Sequence, residues 1–123
     1  MNMRAGISVV LASCLAFLAL LTPIAAKTTF DGRWSVTATT TQGSCDRSVR
    51  YGIVIIDGQV LSGDVSGVSG RVTPSGSVTV TVRRKGGTVS GTGRLGASSG
   101  GGRWTAQASS GRCAGEWQAQ RVS

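Results

Sequence analysis

The chain has 123 residues, with 13 Lys and Arg against 5 Asp and Glu, a net charge of +8, and no histidine. A hydroxyl nucleophile therefore lacks its usual imidazole base, and a His/Cys metal site lacks half its ligands. With 19 glycines and 5% aromatic residues, the composition favours strands and turns over helices and leaves a thin core.

The N-terminal stretch MNMRAGISVVLASCLAFLALLTPIAA carries one positive charge at Arg4, an apolar run from Ile7 to Leu21, then Pro23 and small residues. That is the three-part pattern of a secretory signal peptide over residues 1–26, with cleavage expected between Ala26 and Lys27. The apolar run is too short for a membrane span, which needs about 20 residues. Leu11-Ala12-Ser13-Cys14 matches the short motif before a lipidated cysteine, but Cys14 is followed by LAFLALL, more hydrophobic segment and not a polar tether. Residues 27–123 are then expected to form a single exported domain, periplasmic or extracellular. This domain keeps Cys45 and Cys113. Two thiols in an exported protein most often pair, and a bridge between these would stabilise the fold by roughly 4 kcal/mol on the loop-entropy model.

After residue 26 no helical periodicity is found, whereas period-two alternation recurs. In Trp34-Ser35-Val36-Thr37-Ala38-Thr39 the even positions are apolar. Val78, Val80 and Val82 share one face of SVTVTVRR; Trp104, Ala106 and Ala108 share one face of RWTAQAS. In CAGEWQAQR, Cys113, Gly115, Trp117 and Ala119 oppose Ala114, Glu116, Gln118 and Gln120. One dry and one wet face per strand is the habit of antiparallel sheets. Asp57-Gly58 reads as a two-residue hairpin turn, and Pro74-Ser75-Gly76, Lys85-Gly86-Gly87, Ser99-Gly100-Gly101 and Ser109-Ser110-Gly111 follow at hairpin spacing. Strands are expected over 33–40, 48–56, 59–65, 68–73, 77–84, 87–95, 102–108 and 113–121. The fold class is all-β: an up-and-down antiparallel meander of about eight strands, closed or nearly closed into a barrel. VSGVSGRV at 65–72 resembles VSGTGRL at 89–95, a similarity at the level of one hairpin.

All three tryptophans stand in Gly-x-Trp triplets: Gly32-Arg33-Trp34, Gly102-Arg103-Trp104 and Gly115-Glu116-Trp117. Glycine lets the backbone bend or approach a neighbour closely, and the tryptophan two residues on points into the core. Trp34, Trp104 and Trp117 are thus the expected core aromatics, plugging the ends of a narrow barrel. Ala38, Ala106, Ala108, Gly91, Gly93 and Ala119 line the rest. The competing reading makes the tryptophans a platform for a ligand.

Gly32-x-Trp34 on a first strand resembles the triplet that begins lipocalin and avidin barrels. The resemblance implies a closed meander, but the ligand-stacking aromatics of avidin are missing here and biotin binding is not implied. The longer arrangement Phe30-Asp31-Gly32-x-Trp34, Cys45-Asp46-Arg47, Ser-Gly-x-Gly and Cys113-x-Gly115-x-Trp117 is similar to small uncharacterised exported bacterial proteins sometimes labelled for haem utilisation or adhesion. Residues 27–123 hold neither His nor Met, and pairing would occupy the two cysteines, so Tyr51 alone could ligate haem iron. No cofactor and no metal site is expected.

Of the five carboxylates, Asp57 serves a turn, Asp31 sits where the first strand begins, and Glu116 lies on a polar face; nothing in the sequence calls for an enzyme. Gly86-Gly87 and the run Gly100 to Gly102 precede no helix and so are not phosphate loops. The charge remains. Arg83-Arg84-Lys85 at a hairpin tip is the candidate anion-binding cluster, and arginine forks match carboxylate and phosphate groups. Expected partners are an anionic polysaccharide, lipopolysaccharide or a protein. Nucleic acid is not expected, because the aromatics that would stack on bases are assigned to the core.

One strand pair breaks the one-dry-face rule. Around Asp57-Gly58, Ile55 pairs with Val60 and Val54 with Leu61, so Ile53, Ile55 and Val60 share one face while Val54, Ile56 and Leu61 share the other. Each apolar side chain left in water forgoes roughly 1.5–3 kcal/mol, so Val54, Ile56 and Leu61 form a candidate interaction patch. It is expected to pack against the segment around Phe30 or against a second copy in a homodimer; a patch too small to matter is the alternative. The functional expectation is a non-catalytic exported binding or surface-interaction module with a basic face. The alternative is a small exported inhibitor of a hydrolase, an acidic protease suiting the charge better than a basic lysozyme.

Overall fold

The computed structural model describes residues 28–62 and 66–123. The signal-peptide reading of residues 1–26, including Cys14, lies outside the described residues. Eight strands follow one another: β1 (Gly32–Gln42), β2 (Ser48–Ile56), β3 (Gln59–Leu61), β4 (Val68–Val72), β5 (Ser77–Arg84), β6 (Gly87–Leu95), β7 (Ser99–Ala108) and β8 (Gly111–Arg121). Each pairs antiparallel with the next, and β8 returns to β1, closing the barrel. No helix occurs among the described residues.

The pleat sorts the side chains as the alternation predicts. Trp34, Val36 and Ala38 of β1, Val78, Val80 and Val82 of β5, and Cys113, Gly115, Trp117 and Ala119 of β8 all turn inward, with Thr, Ser, Gln and Arg outside. The β2–β3 turn also has the expected form. Asp57 and Gly58 both take positive φ, 52° and 77°, and Ile55 pairs with Val60 and Val54 with Leu61. These backbone angles match the right-handed twist of the flanking strands, which is why Asp-Gly suits the site.

Boundaries of β1, β4 and β8 differ from expectation by one or two residues, and two others differ by more. β7 begins at Ser99, not at residue 102, and the β6–β7 turn falls at residues 96–98. Gly100, Gly101 and Gly102 are ladder residues paired on both sides, with Gly102 opposite Gly93 and Trp117. Consecutive glycines here serve close strand approach, not a turn. β3 ends at Leu61, while the expected strand ran on to residue 65; residues 63–65 lie outside the described residues.

One end of the barrel is sealed. Phe30, Trp34, Val36, Ile55, Val60, Val72, Val78, Leu95 and Ala119 form the buried cluster, with Trp34, Ile55 and Val60 each 1% exposed. They come from the start of β1, the end of β2, the start of β3, the end of β4, the start of β5 and the ends of β6 and β8, so the core sits at a single end. The Trp34 indole N–H donates to the Phe30 carbonyl at 2.9 Å, fixing the incoming chain across this end. Asp31 fastens the same chain to the β2–β3 turn: its carboxylate accepts from the Asp57 amide at 2.7 Å, the Gly58 amide at 3.2 Å and the Thr28 hydroxyl at 2.6 Å. Burial would raise the Asp31 carboxyl, yet these donors outweigh it and hold the group below the ordinary aspartate value.

Phe30 thus lies inside the seal, which corrects the expectation that its segment covers Val54, Ile56 and Leu61. An aromatic ring gains more by joining the buried cluster than by lying on an outer sheet face. Val54 stays half-buried, while Ile56 and Leu61 are 51% and 43% exposed.

The disulfide joins Cys45 to Cys113 with their Cα atoms 6.1 Å apart. It ties the β1–β2 loop to the start of β8 at the end of the barrel opposite the seal. A bridged pair points, weakly, to an oxidising compartment.

Candidate functional site: an open-ended apolar cavity

Above the sealed cluster the barrel is hollow. The cavity measures about 400 Å³, and its wall is chiefly valine and isoleucine from six strands, with Ala38, Ala106, Gly91 and Ala119 supplying the small positions. Its floor is the seal; its mouth lies where Thr40, Asp46, Val49 and Arg84, none of them fully buried, enter the lining. A concave, mostly apolar space of this size with a few polar groups at one end is the usual form of a small-molecule site.

The lumen stays open because of where two tryptophan rings lie. Trp104 and Trp117 were expected to plug the barrel with Trp34, but only Trp34 does so. The other two are half-buried wall residues. Trp117 lies against Gly93, where a Cβ would clash with the Gly101 carbonyl oxygen and come within 2.5 Å of the ring; Trp104 lies against Gly115, where a Cβ would clash first with the Thr39 carbonyl and then meet the ring at 2.9 Å. Each indole N–H donates to a strand carbonyl, Trp104 to Glu116 of adjacent β8 at 3.1 Å and Trp117, reaching across β7, to Thr92 of β6 at 3.0 Å. A glycine under each ring and a hydrogen bond at its edge hold both rings to the wall. Gly93 is therefore covered by Trp117, and Ala108, at the end of β7, is exposed and not a lining residue.

Charge is unevenly distributed about this axis. Arg47, Arg50, Arg83, Arg84, Lys85 and Arg112 all belong to the loop and strand ends around the mouth, where the one acidic side chain among the described residues is Asp46. A cleft with low-dielectric walls and one sign of charge around it focuses its field on an approaching ligand. Of the candidate anion-binding cluster, Arg84 lines the cavity mouth, whereas Arg83 and Lys85 are exposed beside it. Tyr51 also lines the cavity; burial pushes its hydroxyl above the ordinary tyrosine value, and the nearby positive charge of Arg84 only partly offsets this. The phenol is a neutral hydrogen-bond donor at physiological pH.

Sequence reasoning singled out Arg84 with Arg83 and Lys85 but did not find that Tyr51, Asp46 and Thr40 line the same cavity. Tyr51 was legible in principle, since Val49, Tyr51, Ile53 and Ile55 alternate along β2. Thr40 lies near the end of β1, and Asp46 reaches the mouth through the β1–β2 loop, held there by the disulfide and by the Thr40 hydroxyl, which donates to the Asp46 carbonyl at 2.6 Å. The outer trio Val54, Ile56 and Leu61 lies on the far side of the wall from the cavity and is not part of this site. Among the described residues no group of three His, Cys, Asp or Glu converges to hold a metal ion. No protein-family model matches the chain, and no curated protein or solved structure matches it.

Proposed function

We propose that this protein is an exported, non-catalytic binding module that takes the apolar part of a small ligand into its barrel and draws anionic ligands with its basic mouth. The observation that carries the reading is the apolar cavity of about 400 Å³, sealed at one end and open at the other. A core of this size could have been filled; instead the rings of Trp104 and Trp117 are held to the wall at the cost of glycines beneath them. Voids that serve no purpose are costly in small domains, because each forfeits packing energy of about 24 cal/mol per Å³.

The test is direct. A neutral naphthylamine dye, dark in water and bright in apolar surroundings, is expected to fluoresce on binding the oxidised protein. Ala106→Trp, which adds an indole to the lumen beside Trp104, is expected to abolish the signal while the protein remains folded by circular dichroism. An undiminished signal in that variant, or none in the wild type, overturns the reading.

A further inference from the structure

The cavity has one cationic side chain in its wall. The alternation that sends Val78, Val80 and Val82 inward makes Arg84, the last residue of β5, the next inward position, and it lines the mouth together with Tyr51. Arg84 is exposed at the mouth, and its guanidinium makes no hydrogen bond or ion pair with any described residue, so its donors are open to a ligand there. By contrast, Arg94 and Arg121 spend their donors on backbone carbonyls at the sealed end. An unengaged guanidinium above an apolar shaft is the complement of a molecule with one anionic head and an apolar body.

We propose that the ligand is a single-chain amphiphile ending in a carboxylate, its chain in the lumen and its head on the Arg84 guanidinium and the Tyr51 hydroxyl. This rests on the cavity-binding reading above and names the ligand class. Arginine's planar fork binds a carboxylate through two parallel hydrogen bonds, and a neutral phenol adds a third. Arg84 is the one cationic side chain in the cavity lining, and its fork is filled by one carboxylate. At about 30 Å³ per heavy atom, the volume share of a molecule in liquid water, a 400 Å³ lumen takes roughly a dozen chain atoms. A medium-length fatty acid fits that length.

The experiment titrates the purified, oxidised protein, below micelle-forming concentrations, with dodecanoate, dodecanol and dodecylammonium, each displacing the neutral naphthylamine dye. Dodecanoate is expected to bind at least about tenfold more tightly than dodecanol, and dodecylammonium more weakly than either. Arg84→Gln should bring dodecanoate down to the level of dodecanol while dye and dodecanol affinities stay as they were, which also shows that the variant is folded. Arg83→Gln, which removes an equal charge from the outer face of the same strand, should leave most of the preference in place. Equal binding of acid and alcohol by the wild type overturns the inference while the cavity reading stands. Loss of the preference in Arg83→Gln as great as in Arg84→Gln also overturns it, since a diffuse field would then be responsible. Failure of the dye itself to bind removes both readings together.

Discussion

The guanidinium of Arg121 lies over the indole of Trp34, 4.7 Å from the ring centroid, and so joins the end of β8 to the start of β1. The same guanidinium donates to the Asp31 and Ala97 carbonyls at 2.9 and 2.8 Å, and to that of Thr29. One side chain thus fastens the incoming chain, the β6–β7 turn and the barrel seam. Arg121→Ala is expected to lower unfolding free energy by about 2–4 kcal/mol, the sum of a partly desolvated cation–π contact and charge-assisted hydrogen bonds. Arg121→Lys should recover less than half, because an ammonium cannot reproduce the fork. Urea unfolding with an unchanged m-value checks both.

Asp31 makes acid stability testable. Its folded-state pKa is lowered, so its contribution is fully present above the unfolded value of about 3.9 and is lost as pH falls through the folded value. The stability difference between wild type and Asp31→Asn should be level from about pH 7 to pH 5 and shrink below about pH 4. A difference that grows on acidification would contradict the hydrogen bonding described for this carboxylate.

The two glycines facing the tryptophan wall should respond differently to a methyl group. At Gly93 a Cβ would clash with the Gly101 carbonyl oxygen and lie 2.5 Å from the Trp117 ring, whereas at Gly91 the nearest atom is 3.6 Å away. Gly93→Ala is expected to cost about 3 kcal/mol by overpacking against backbone and ring together and to change the tryptophan emission. Gly91→Ala should be neutral or stabilising by up to about 1 kcal/mol, through the unfolded state. Thermal melts with fluorescence detection separate the two.

Neither Cys45 nor Cys113 should react with iodoacetamide before reduction. Replacing both with serine is expected to cost roughly 4 kcal/mol, on the loop-entropy model for residues 68 apart in sequence. Dye binding should weaken as well, since the bridge holds the loop that carries Asp46 at the mouth.

Ile56→Thr combined with Leu61→Thr should change stability by less than about 0.5 kcal/mol, because both side chains are already largely in water and threonine keeps the strand preference. Sedimentation velocity on the same pair of proteins tests the homodimer: if a second copy covers the patch, the double variant sediments as the smaller species.

Much of this fold was legible because it is built from local rules. The Asp57-Gly58 turn fixed the register of Ile55 with Val60, and strict alternation in β5 and β8 assigned their inner faces. What escaped depends on pairing across distant strands. Whether a Trp117 ring fills the lumen or lies along its wall is decided by Gly93, two strands away; Trp104 likewise depends on Gly115. Nothing near Arg121 in sequence reveals its contacts with Trp34 and Thr29. The run from Ser99 to Gly101 has the composition of a turn, and only its packing beside β6 and β8 makes it a strand.

The seam between β1 and β8 has a kinetic consequence. Hairpins from β4 to β8 can form as neighbours in sequence, but the lumen does not exist until Trp34 to Thr40 meet Gly115 to Arg121. That step closes a loop spanning nearly the whole barrel, so it comes late and sets a slow overall folding rate. A molecule that occupies the finished cavity binds no earlier species. By mass action it raises the population of the closed form and slows opening, while leaving the rate of seam closure as it was.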